Sequence, residues 1–184
     1  MIDIYEKIND VFEREISILY YNFRGIDINY LHKNILDLDY FDNSEKENLI
    51  NIKKGMTRND SQSWVLSCNI NRRIVSFKVV DATFADAKYA REYKGGAPIL
   101  SSNSIILDRN NNLWLDARDK KLSTYPGYYH TIGGGANINE SAESTAMREC
   151  LEELFSDKDW KGKNEDYFLG YPSPLAVIKE TKTG

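Results

Sequence analysis

The chain has 184 residues, 41% hydrophobic and 28% charged, which is enough apolar material for a buried core and enough charge for a soluble protein of one or two domains. Its 24 Lys and Arg against 28 Asp and Glu leave a formal net charge of -4, which excludes the broad positive footprint of a duplex-DNA binder but not a small anionic substrate bridged by a divalent cation. The two cysteines, Cys68 and Cys150, lie far apart with no Cys-x-x-Cys pair, which argues against structural zinc and for two buried thiols in a reducing compartment.

The first fifteen residues, MIDIYEKINDVFERE, show no basic leader before an apolar stretch, and nowhere do about 18 apolar residues run together. Neither a signal peptide nor a membrane span is expected, and the cytoplasm is the default location. Ile4, Ile8, Val11, Phe12, Ile16, Leu19 and Tyr20 recur at three- and four-residue steps, so Ile2 to Asn22 reads as an amphipathic helix. Asn29 to Thr57 reads as a second, weaker helical region, broken across Asn34 to Phe41, where Asp37 and Asp39 interrupt it. Asn43 and Ser44 ahead of Glu45 and Glu47 suit a helix start. Near Gln62 the pattern changes: SWVLSCNI and RIVSFKVVDATF read as strands joined through Asn69 to Arg73, and EYKGGAPI as a loop. SSNSIIL and LWLDAR flank DRNNN, a hairpin signal, because Asp and Asn tolerate the backbone angles of a tight turn. GYYHTI reads as a short strand, a helix follows, and DYFLGY and PLAVIKE read as two late strands. This divides the chain into a helical N-terminal region at 1–60 and a mixed α/β (α+β) domain at 61–184.

The chemistry concentrates in GGGANINESAESTAMRECLEELFS, Gly133 to Ser156. Three glycines follow a strand, where they allow close backbone approach and positive φ, and Asn139 or Ser141 can cap the next helix. On a helical wheel Ala146, Met147, Cys150, Leu151 and Leu154 form the core side. Glu149, Glu152 and Glu153 gather opposite them at i, i+3 and i+4. Like charges so spaced cost a few tenths of a kcal/mol per pair, and only Arg148 borders them. A hard divalent cation with oxygen ligands would relieve the repulsion. A solvated acidic face is the plainer reading of three Glu alone.

The order of residues resembles the Nudix signature: Gly, five residues, Glu, seven residues, then Arg-Glu-aliphatic-x-Glu-Glu-x-Gly-aliphatic. Gly134, Glu140, Arg148, Glu149, Glu152 and Glu153 stand at the matching positions. Cys150 takes the first aliphatic place, and Phe155 and Ser156 replace the terminal Gly and aliphatic residue. That glycine would end the helix in a left-handed conformation, so the exit from the helix departs from the pattern. The resemblance implies a Nudix-type mixed-sheet α/β/α sandwich preceded by helices, with the family's usual closing helix missing or replaced. It implies a hydrolase that cleaves the diphosphate of a nucleoside diphosphate linked to another moiety, with Mg²⁺ or Mn²⁺. Glu149, Glu152 and Glu153 would be the metal ligands, Arg148 a second catalytic-site partner that orients a ligand Glu, and Glu140 the structural counterpart of Arg148. The backbone of Gly133, Gly134 and Gly135 would lie at the substrate, with Arg118 as a phosphate contact, and a Glu would accept the proton of the attacking water.

Other residues are weaker candidates. Tyr125, Tyr128 and Tyr129 could stack on a nucleobase, and His130 could touch substrate, although core, surface and structural roles are the commoner ones for these types. Glu180 could be a further base, and His32 has no context. The expected partner is a small nucleotide-like diphosphate, with neither membrane nor strong nucleic-acid signal and with the oligomeric state open, a dimer included. The alternative is a Nudix-fold module without turnover that binds nucleotide or protein. A further rival places the function in the N-terminal helices.

Overall fold

The computed structural model describes residues 16–20, 25–57, 59–120, 126–154, 172–173 and 177–180, the segments 16–20 and 177–180 by their backbone pairing alone. The chain is mixed α/β, and it divides into two compact units, residues 1–99 with 175–184, and residues 100–174.

In the first unit, β1 (Ile16–Tyr20) pairs antiparallel with the late segment Val177–Glu180. β2 (Gly25–Asn34), β3 (Ser61–Asn71) and β4 (Ile74–Thr83) form a three-stranded sheet in the order β2-β4-β3. β3 and β4 are an antiparallel hairpin in register from Ser61–Thr83 to Asn71–Ile74, and its turn puts Arg72 and Arg73 at φ 46° and 73°. β2 runs parallel to β4, and a parallel partner needs a long crossover, which is supplied here by α1 (Asn43–Gly55) and β3. Alternation along β4 buries Val75, Phe77 and Val79 on one face, while Val80 and Ala82 lie on the other with Trp64, Ile35, Phe41, Leu49 and Ala90.

Both helices of this unit start on reciprocal caps. At α1 the Asp42 carboxylate accepts from the Glu45 amide at 2.9 Å, and Glu45 accepts from the Asp42 amide at 2.8 Å. At α2 (Phe84–Tyr93) the fully buried Asp86 accepts from the Thr83 amide at 2.8 Å and the Thr83 hydroxyl at 2.7 Å, and Lys53 ion-pairs with it at 2.8 Å.

Several expectations change here. Ile16–Tyr20 is extended rather than helical, and so is Gly25–Asn34, whose second half, from Asn29 on, was expected to begin a weak helix. The Leu, Ile and Tyr spacing satisfies a helical period, yet Ile26, Ile28 and Tyr30 also alternate with polar neighbours, and pairing with β4 selects the strand. The expected break at Asn34 to Phe41 is present as a short 3-10 turn, Ile35–Asp37, between strand and helix. α2 was not foreseen: it takes in Phe84, read as the end of a strand, and Glu92 and Tyr93, read as the start of a loop. Residues 1–15, the proposed strand DYFLGY, Tyr125, Phe155 and Ser156 lie outside the described residues. No helix among those described is long and apolar enough to cross a membrane.

In the second unit, β5 (Ser101–Ser104) pairs with β10 (Ile132–Gly135). β6 (Ile106–Leu107) and β7 (Leu113–Trp114) form the expected hairpin, and β8 (Asp116–Ala117) pairs with β9 (Tyr129–His130). The hairpin turn closes on Asp108, whose carboxylate accepts from the Asn110 and Asn112 amides at 2.8 and 2.9 Å, and Asn111 takes φ 62°. α3 (Ala142–Leu154) packs on β5 and β10. It buries Thr145, Ala146, Cys150 and Leu151, whereas Met147 and Leu154 are only half-buried, so the buried stripe ends about one turn earlier than the wheel suggests.

Candidate functional site

The site is built where β10 turns into α3. The three glycines were expected to open a loop with positive φ. They instead form the extended strand β10, in register Gly133–Asn103, Gly134–Ser102 and Gly135–Ser101. What they supply is space. A Cβ on Gly133 would collide with the backbone of Ser102 and Asn103, coming within 2.6 Å of the α-carbon of Asn103. A Cβ on Gly134 would lie 2.5 Å from the carboxyl group of Glu149. Gly134 therefore lets the acidic helix lay one of its carboxylates directly on the strand. The left-handed residue of the connection is Asn139, at φ 64°, and the helix cap is Ser141, whose hydroxyl accepts from the Ser144 amide at 3.0 Å.

Arg148 is the hub. Its Nε donates to Glu140 Oε1 at 2.7 Å and its Nη2 to Glu140 Oε2 at 3.0 Å, a two-pronged pair. The same Nη2 donates to the Gly135 carbonyl at 2.8 Å, and Nη1 donates to Glu149 Oε1 at 2.6 Å and Glu152 Oε2 at 3.2 Å. One guanidinium thus ties the end of the glycine strand, the loop residue Glu140 and two of the three acidic helix residues. Glu140 in turn accepts from the Asn137 amide at 3.0 Å and the Thr145 hydroxyl at 3.1 Å. Burial alone would raise its pKa, but the Arg148 hydrogen bonds and charge and the Asn137 amide outweigh that and bring it to about 2. Arg148 is held above its ordinary range, chiefly by its hydrogen bonds to Glu140, against the opposing effect of burial.

The third carboxylate, Glu153, behaves differently. Burial of its surroundings raises its pKa, opposed by the charge of His130 and a Gly133 backbone hydrogen bond and assisted by Asp116 and Glu149. His130 itself is fixed: Nδ1 lies 2.7 Å from the Thr131 carbonyl and Nε2 3.2 Å from Asp116 Oδ2, across the β8–β9 pair. A carbonyl and a carboxylate both only accept, so both ring nitrogens face acceptors, and the ring serves the strand pair rather than standing free. Cys150, at the signature's aliphatic place, is buried, and burial pushes its thiol up. Cys68 is half-buried and also free.

The structure brings Gly134, Gly135, Glu140, Arg148, Glu149 and Glu152 into one hydrogen-bonded or touching group, with Glu153 electrostatically coupled to it. Among the described residues no three His, Cys, Asp or Glu side chains stand close enough together to hold a metal ion as placed. Glu149 and Glu152 rest on Arg148 instead. Arg118 is half-buried in the β8–β9 connection, its backbone exchanging bonds with Tyr128 and Gly127 at 3.0 and 3.1 Å. Tyr128 and Tyr129 are exposed. Glu180 pairs through its backbone with Ile16. Asp116 was missed by sequence reading, and only its pairing opposite His130 reveals it. No protein-family model matches the chain, and no curated protein matches it.

Proposed function

We propose that the chain is a divalent-cation-dependent hydrolase of the Nudix type, acting on the diphosphate bond of a nucleoside diphosphate linked to another moiety. The observation that carries this reading is the Arg148 hub. Five of the six residues fixed by spacing in the sequence, Gly134, Glu140, Arg148, Glu149 and Glu152, meet in one local arrangement, with Glu153 beside it, and a merely solvated acidic face would have no use for such an anchor. The donor set is three carboxylates, the hard oxygen ligands that Mg²⁺ and Mn²⁺ prefer. Glu149, Glu152 and Glu153 would hold the ion, which supplies charge neutralisation of the diphosphate and acidification of a bound water.

The chain's own residues divide the remaining work. Glu140 fixes Arg148, Arg148 holds Glu149 and Glu152 on one side of the helix, and Gly134 leaves room for the Glu149 carboxylate. Glu153, whose carboxyl holds its proton more readily than an ordinary Glu, lies toward the β8–β9 strands, where Asp116 and His130 stand. The test is a panel of nucleoside diphosphate-linked compounds with Mg²⁺, read by phosphate release after phosphatase coupling. On a substrate so found, Glu152→Gln should lower the rate by on the order of a hundredfold, since metal-assisted water activation supplies several kcal/mol of the barrier reduction. Glu143→Gln, in the same helix but outside the fixed positions, should leave it nearly unchanged. Equal hydrolysis by the two variants removes the motif from the chemistry.

A second reading is a nucleotide-binding or protein-interaction module without turnover. It is favoured by Phe155 and Ser156, which replace the signature's last glycine and aliphatic residue. Saturable nucleotide binding with no product across the panel would select it.

A further inference from the structure

The β2-β4-β3 sheet of the first unit has a second apolar face, distinct from the one that carries the described core. Its register sets three rungs of three side chains there: Ile26, Val75 and Ile70, then Ile28, Phe77 and Cys68, then Tyr30, Val79 and Val65. None of them is charged. The rungs between point the other way and carry Asp27, Ser76 and Asn69, then Asn29, Lys78 and Ser67. Both described helices of the unit lie on that other side, Leu49 of α1 and Ala90 of α2 packing with Trp64, Val80 and Ala82. Yet on the apolar face Val75 and Val79 are fully buried, and Phe77 is 7% exposed.

Burial falls off to either side of β4. Ile26, Ile28, Tyr30, Val65 and Cys68 are half-buried, and Ile70 at the β3 edge is 45% exposed. Such a gradient suits one narrow element lying along the central strand. A helix is about 10 Å across, which matches three strands spaced about 4.8 Å apart. A sheet built on a parallel pair such as β2–β4 is also the kind that is covered on both faces. We propose that the occupant of this face is the chain's own N-terminal segment, residues 2–15, laid along β4 as an amphipathic helix. On a helical wheel Ile4, Ile8, Val11 and Phe12 form a stripe about 100° wide, with Glu6 and Glu13 opposite it. Fourteen residues give about 21 Å of helix, enough to span the roughly 13 Å from Val75 to Val79. The segment belongs to the same compact unit as the sheet, whereas residues 155–171 belong to the other. It ends where β1 begins, and only residues 21–24 separate β1 from the start of β2 at Gly25. The late segment Val177–Glu180 is engaged as the partner of β1.

The inference does not depend on the proposed hydrolase activity, and the face carries its own reporter, the free thiol of Cys68. In the full chain, with Cys150 replaced by Ala, single cysteines at Ile4, Ile8, Val11 and Phe12 are compared with cysteines at Glu6 and Glu13. After mild oxidation, one or more of the stripe variants should form a disulfide with Cys68 inside a single chain, running at 21.2 kDa without reductant, and neither glutamate variant should. In the otherwise unaltered chain, Ile8→Asp should speed alkylation of Cys68 about tenfold or more by weakening the cover, and Glu13→Lys should leave it unchanged. Failure of every stripe variant to reach Cys68, or equal cross-linking from Glu6→Cys and Glu13→Cys, overturns the proposal. Cross-links that join two chains overturn it too, since a second copy would then be the occupant.

Discussion

Replacing Glu140 with Gln tests the Arg148 hub in a way that leaves the acidic helix untouched. Glu140 accepts two hydrogen bonds from Arg148, one from the Asn137 amide and one from the Thr145 hydroxyl, with its side chain only 20% exposed. Gln keeps the size but turns one acceptor oxygen into a donor that faces other donors. It also leaves the half-buried guanidinium without its two-pronged partner. The depression of the Glu140 pKa from 4.5 to about 2 corresponds to about 3 kcal/mol of ionisation-linked stability. The expected loss is therefore on the order of 2–4 kcal/mol at neutral pH, consistent with breaking a largely desolvated ion pair.

The pH dependence carries the sign. The folded pKa lies below the unfolded value, so the unfolded chain binds the proton more readily, and stability rises with pH through this range. The contribution is fully present above pH 4.5 and fades as pH falls toward about 2. By about pH 3 less than half should remain. Urea unfolding followed by circular dichroism, wild type against Glu140→Gln, should thus show a large difference at neutral pH that shrinks by at least half at about pH 3. A variant as stable as wild type at neutral pH, or a difference that does not change on acidification, would refute the reasoning.

Gly133→Ala should cost roughly 1–3 kcal/mol in unfolding free energy, because its Cβ meets strand backbone that cannot move without parting β5 from β10. The atoms nearest a Cβ on Gly134 are those of the Glu149 carboxyl, the far end of a flexible side chain, so Gly134→Ala should fold with less penalty while weakening Mn²⁺ binding measured by calorimetry. Leu151→Ala, at a side chain 1% exposed, should cost roughly 2–5 kcal/mol by chemical denaturation, and Leu154→Ala distinctly less. Lys53→Met leaves the Asp86 carboxylate buried with only the Thr83 donors. It should destabilise the first unit by about 3–5 kcal/mol, visible as a lowered Tm.

The parts of this fold that were legible in the sequence are those whose signals are local. The β3–β4 hairpin announces itself through runs of Val, Ile and Phe around its turn, and the β6–β7 hairpin through Ile, Leu and Trp around the Asp and Asn residues of its turn. The Ala142 to Leu154 helix shows itself by its cap and periodicity. β2 was not legible as a strand, since its partner β4 lies some fifty residues away and parallel pairing leaves no mark in a short window. The start of α2 did carry a mark, Thr83-x-x-Asp86, which is a capping-box spacing. It was hidden because the β-branched run ending at Thr83 is also good strand sequence. In the site, the spacing foretold which residues would share the helix, and the resemblance implied that Glu140 would be the structural counterpart of Arg148. It could not foretell that Gly133 and Gly134 act by the room they leave rather than by their backbone angles. That depends on where Ser102 and Glu149 arrive in space.

Glu149, Glu152 and Glu153 are proposed to form a divalent-cation site, and titration calorimetry with Mn²⁺ on the full chain tests this most directly, without needing a substrate. Saturable binding is expected below millimolar concentration, lost or strongly weakened in Glu149→Gln and Glu152→Gln and kept in Glu143→Gln. Absence of Mn²⁺ binding to the wild-type chain at millimolar concentration, or binding that all three variants retain equally, would contradict it.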